Sequence, residues 1–104
     1  MSKQVYKVEQ TYTAKATSFN TDVVNMEGYF NLSCQVNLNN PSGFTGSTTI
    51  QVSNDLTNWI DMPDSEEDIT DCVFYDIQSA AAFVRVKVVI LTGSADFNVD
   101  WVLL

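Results

Sequence analysis

The sequence predicts an all-β fold, an antiparallel two-sheet β-sandwich of about seven or eight strands, and three observations carry it. Hydrophobic residues alternate with a period of two through most of the chain, the pattern of half-buried strands. Valine, isoleucine and the aromatics supply the large residues, with Thr, Asn and Ser between them, which is strand composition. Turn signals interrupt the alternation at short intervals. A small closed β-barrel is the alternative architecture. The 104 residues are read as one domain, 1–104, because a chain of that length buries roughly two thirds of its unfolded surface around a single core.

The elements follow in order. Residues 4–14 read as a strand, and residues 1–10, with Lys3, Tyr6 and Lys7, as an extended N-terminal arm or an edge strand. A second short strand is expected near 21–26. In "EGYFNLSCQVNL", Phe30, Leu32, Cys34, Val36 and Leu38 fall on one face and Tyr29, Asn31, Ser33, Gln35 and Asn37 on the other. Proline and two glycines in "NNPSGFTG" predict a loop, with Phe44 as its exposed aromatic. Strands follow near 47–53, 59–62 and 72–78, and "QSAAAF" is too short to count as a helix. The last segment, "AFVRVKVVILTGSADFNVDWVLL", predicts a hairpin turning at Gly93 and Ser94. That register sets Ile90, Val88, Val86 and Val84 opposite Phe97, Val99, Trp101 and Leu103, and Lys87 opposite Asp100. Its outer face then carries Phe83, Val89, Leu91, Val102 and Leu104, an apolar surface suited to a subunit contact.

Charge and inventory exclude several functions. The net charge is −8, from 13 acidic and 5 basic residues. Nucleic acid is not an expected partner, since phosphate binding needs a lysine and arginine surface. No signal-peptide core and no apolar run of membrane-spanning length occurs, so no membrane partner is expected and synthesis is expected in the cytoplasm. There is no histidine, the commonest general base. The remaining acids sit in polar loops, and Cys34 lies on the apolar face with no basic neighbour, so no catalytic residues, no enzymatic activity and no cofactor are expected. Cys34 and Cys72, 38 positions apart, make no metal cluster and are expected as free thiols. The acidic loop 61–71, with "DMPDSEED", has carboxylates suited to calcium but lacks the spacing of the helix-flanked calcium loop.

One stretch, "TIQVSNDLTNWIDM", reads as strand, corner and strand. Ser53, Asn54 and Asp55 bond to nearby backbone in such corners, and Trp59 is expected to return against Val52 and cover the open end of the sandwich. Together with "TGSTTIQVSNDLTNWIDM", "VFYDI" and "FVRVKVVILTGSADFNVDWVLL", this corner of Asn54, Asp55 and Trp59 resembles the small β-sandwich virion proteins of tailed bacteriophages. In that family a strand ends in a Ser-Asn-Asp-Gly-Thr-Asn-Trp-like corner, and the resemblance covers roughly residues 19–104. Here Leu56 stands in place of the glycine, so the left-handed position is expected to pass to Asn58.

The resemblance implies a non-enzymatic virion protein, made in the host cytoplasm and carried on the capsid surface, that decorates or cements the head. Its partners would be the major capsid protein or other virion subunits, with self-association into a homo-oligomer open. The alternative is a receptor- or glycan-binding module of a fibre or tail, for which Tyr29, Phe44, Trp59 and Tyr75 are the candidate aromatics. The candidate partner interface comprises Lys3, Tyr6, Lys7, Phe44, Phe83, Val89, Leu91, Val102 and Leu104.

Overall fold

The computed structural model describes residues 5–104, so Lys3 lies outside the described residues. Among the described residues eight strands form one antiparallel sheet: β1 (Tyr6–Lys15), β2 (Phe19–Asn20), β3 (Val24–Asn25), β4 (Asn31–Ser53), β5 (Ile60–Asp61), β6 (Glu67–Asp68), β7 (Cys72–Gln78) and β8 (Phe83–Leu103). The sheet does not close into a barrel.

Two strands organise all the others. β4 has 23 residues and β8 has 21, and they pair along their whole length, from Leu32 opposite Leu103 to Ser53 opposite Phe83. A straight strand of that length would run roughly 70 Å at about 3.3 Å per residue. The longest dimension of the whole molecule is 47 Å. The ribbon therefore bends, and the bend falls where register shifts at Asn39/Ser42, Ser42/Thr45 and Thr45/Gly46 break the ladder. Asn40, Gly43 and Gly93 take positive φ there. Pro41, with no N–H to donate, sits at this irregularity, where a strand tolerates it. Along β8 the buried positions switch from even, at Val84, Val86 and Val88, to odd, at Phe97, Val99, Trp101 and Leu103. An extra residue at the bend produces that change of parity.

The bend divides the sheet into two layers. In the first, β7 and β1 flank residues 31–39 of β4 and 95–103 of β8. In the second, β5 and β6 pair with 47–52 of β4, and β2 and β3 pair with 83–88 of β8. The core lies between them. The buried hydroxyl of Tyr75 on β7 crosses the gap, donating to the Thr48 carbonyl at 3.0 Å and lying 2.6 Å from the Thr48 hydroxyl. Burial pushes its pKa up to about 12, so it stays a neutral donor. Phe97 of the first layer receives Phe19 edge-on at 5.4 Å and Phe44 at 5.6 Å. Trp101 is wholly buried, and its indole N–H donates to Gln10 at 2.8 Å.

Three expectations are corrected. Residues 83–104 do not form a hairpin, because β8 runs through Gly93 and takes β4 as its partner on one side. The inner face was read correctly, but β4 alternates in the same way, and Val84, Val86 and Val88 pair with Val52, Ile50 and Thr48. Lys87 accordingly meets Asp61, at 3.0 Å, and not Asp100. Residues 39–46 are not a free loop but the bent middle of β4. Phe30 is not inward-facing: it is 60% exposed, because β4 starts one residue later and the Phe30 N–H is drawn to the Leu104 carbonyl at 3.0 Å.

Gly93 is the residue on which the bend turns. Its φ is +74°, and a Cβ there would run into the Ser42 carbonyl and the Gly43 backbone. Gly93→Ala should cost about 2 kcal/mol or more, from the left-handed conformation and the collision together. Urea denaturation of the two proteins measures it, and an unchanged midpoint would place the bend's constraint elsewhere.

Candidate functional site

Bending the ribbon brings the two ends of each long strand to the same end of the molecule, away from the bend. A relay of backbone hydrogen bonds marks this end. Leu104 accepts from Phe30 and Asn31, Ser79 donates to the Phe30 carbonyl at 2.9 Å, and Met26 donates to Ala82 at 2.7 Å. Ala82 in turn donates to the Asn54 side chain at 2.9 Å.

Exposed apolar side chains collect there. Val5, Tyr6, Val23, Phe30 and Leu104 are all exposed, and Tyr6 lies ring to ring with Tyr29 at 6.1 Å. Beside them a groove of about 520 Å³ runs between Tyr6, Val8, Val23, Val24 and Tyr29, with Asn25 and Glu27 as its polar groups. Lone exposed apolar residues are ordinary, and several brought to one end beside a groove make that end the candidate contact surface.

The residues expected to form one interface are dispersed. Tyr6 and Leu104 belong to the open end. Phe83, half-buried, pairs with Asn25 and Ser53. Leu91 is exposed at the bend, where it lines a small cleft with Phe44, Gly46 and Ile69. Phe44 is half-buried with its ring against Phe97, not a free loop aromatic. Val89 lies half-buried beside Ser18 and Phe19, and Val102 half-buried between Lys7 and Ser33, with Lys7 itself exposed. A single hairpin face would have joined them, and β8 instead spreads them over both layers.

The corner is built as its residue types imply. The Ser53 hydroxyl accepts from the N–H groups of Asp55 and Leu56, at 3.2 and 3.0 Å, and donates to the Asp55 carboxylate at 3.0 Å. That carboxylate also accepts from the N–H groups of Thr57 and Asn58, at 2.9 and 2.8 Å, and from the Asn58 amide at 2.8 Å. The hydrogen bonds from Asn58, then those from Thr57 and Ser53, hold Asp55 far below the usual carboxylate range. It is a fixed anion and a poor proton carrier. Leu56 itself takes the left-handed position, at φ +66°, so the expectation for Asn58 is corrected. Trp59 does not plug the open end: it is half-buried on the outside of the second layer, with the Arg85 guanidinium 4.0 Å above its ring.

No group of three or more Cys, Asp or Glu placed to hold a metal occurs among the described residues. Both cysteines are free: Cys72 is exposed, and burial drives the Cys34 thiol far above its ordinary range.

No protein-family model matches the chain, and no curated protein sequence is similar to it. Solved structures share its fold. The SPBc2 prophage-derived protein YomS superposes with a TM-score of 0.70 over 99% of this chain and 96% of that one, at 11% identity. A subunit of Bacillus endospore appendages, which form a novel family of disulfide-linked pili, superposes with a TM-score of 0.58 over 96% and 86%, at 14% identity. Similarity at such identities establishes the fold alone.

Two outcomes are expected of the corner. Leu56→Gly should raise the melting temperature, since leucine pays about 1 kcal/mol or more for a left-handed φ and is half exposed there. A lower melting temperature would mean that the leucine packs usefully. Asp55 is depressed in the fold, so its stabilisation is whole above the unfolded carboxylate pKa of about 3.9 and fades as the pH falls below it. Asp55→Ala should thus melt lower than the wild type at pH 7, with the gap closing toward pH 2, as thermal scans across that range would record.

Proposed function

We propose that this chain is a non-enzymatic structural subunit of a bacteriophage particle, and specifically a decoration or cement protein of the capsid that docks through its open end. The observation that carries the reading is the apolar cluster of Tyr6, Val23, Phe30 and Leu104 at one end of a domain whose net charge is −8. Apolar surface drives association without direction, and the acidic surface elsewhere opposes it. Ile60, Phe74 and Leu91 are exposed elsewhere, and the open end is where several such side chains lie beside a groove. The fold shared with a prophage-derived protein and with a pilus subunit supports an assembly role.

The mechanism needs only adhesion. A subunit that binds the assembled shell and not its dissociated parts stabilises the shell by mass action, by about 2.7 kcal/mol per site at a free concentration one hundred times the dissociation constant. Repetition over a lattice multiplies that modest term.

Co-sedimentation with phage capsids lacking this protein tests the reading, scored as copies bound per capsid and as the temperature of capsid disruption. Saturable binding with a raised disruption temperature is expected. Phe30→Ser should weaken binding about tenfold or more, as for a central apolar contact, and Leu91→Ser at the opposite end should not. Absence of saturable binding would transfer the reading to a fibre or tail module.

A further inference from the structure

The outer face of the second layer carries an arrangement that the open end does not use. Residues 49, 51 and 53 of β4 and 83, 85 and 87 of β8 share that face, with Thr49 opposite Lys87 and Gln51 opposite Arg85. The Gln51 amide is used at both ends: its oxygen accepts from Arg85 Nε at 2.8 Å, and its nitrogen donates to Asp61 Oδ1 at 2.8 Å. Asp61 Oδ2 accepts from Lys87 Nζ at 3.0 Å. Trp59 lies beneath the Arg85 guanidinium at 4.0 Å, and its indole N–H is tied to the Leu56 carbonyl at 3.3 Å.

The consequence is an arginine held in one orientation. The Trp59 ring at 4.0 Å and the Gln51 oxygen on Nε hold the guanidinium at two points. Neither terminal amine of Arg85 has a hydrogen-bond partner among the described residues. Lys87 is paired with Asp61, and Arg85 has no salt-bridge partner among the described residues. The Thr49 hydroxyl, buried on the same face, also has no partner.

We propose that this face is a docking point for a carboxylate, the side chain of an aspartate or glutamate on a partner protein, received by the two terminal amines of Arg85. A planar fork matches a carboxylate in bidentate geometry. One uncompensated charge suits one monovalent group, whereas a phosphate backbone calls for an extended basic surface that a chain of net charge −8 lacks. The acidic remainder of the surface repels acidic segments, so such a partner is accepted in one orientation. This site stands apart from the capsid reading of the open end.

Its test is a nuclear magnetic resonance titration of the full chain with acetylated tetraglutamate peptide, and with tetraglutamine peptide as the control. The Arg85 Nε–H and Trp59 indole resonances should shift saturably with the glutamate peptide alone. The buried Trp101 indole should stay in place, reporting an intact fold. Arg85→Lys keeps the charge and loses the fork, and should bind about tenfold more weakly. Phe30→Ser at the open end should bind as the wild type does. No saturable shift, equal binding by Arg85→Lys, or equal binding of tetraglutamine would each overturn the proposal. So would loss of binding in Phe30→Ser, which would move the site to the open end.

Discussion

The structure depends on one constraint: two paired strands longer than the molecule must bend together. β4 and β8 belong to both layers, so neither layer has a central pair of its own. Opening the sandwich would mean straightening both strands at once and exposing Phe97, Trp101 and Ile50 together. That coupling favours all-or-none unfolding. It also makes the fold non-local, since Leu32 waits for Leu103 and Ser53 for Phe83. Long loops must close before these pairings are rewarded, the regime in which β proteins fold slowly.

The inward faces were legible in the sequence, and the partners were not. Alternation placed Leu32, Cys34, Val36 and Leu38 inside, and likewise Val84 to Val88 and Phe97 to Leu103, and all of them are buried. Alternation says which side of a strand is apolar and nothing about which strand lies beside it. Gly93 looks alike in a hairpin turn and in a bend, since both require a positive φ. What decides between them is a competitor far upstream, β4, which offers β8 more ladder than β8 can offer itself. Phe30 was misplaced for a nearer reason. Gly28, at φ +85°, and the bonds to Leu104 start the alternation after Phe30, later than the apolar pattern suggests.

The functional surfaces divide in the same way. The corner of Ser53, Asp55 and Asn58 was legible, because short polar side chains bonding to backbone within three residues is local chemistry. The position of Trp59 was not, since its cover is supplied by Arg85, 26 positions later and on another strand. The open end is assembled from residues 5–6, 23, 29–30 and 104, four places in the chain joined only by the bend. No signal in any one of these segments announces the cluster, although Tyr6, Tyr29 and Leu104 each stood out alone.

Net charge bears on what the apolar side chains of the open end can meet. Self-repulsion among copies acts over roughly a Debye length, about 8 Å at physiological salt, and reaches beyond the range of apolar contact. Two copies meeting end to end would bring their charged flanks within that distance. A surface of lower or opposite charge meets no such barrier. Under the docking proposed for the open end, the charge would select what that end adheres to, and the apolar area would supply the adhesion. The bend gathers exposed apolar side chains from four places in the chain at one end, so strand pairing, and not any single segment, decides where that surface lies.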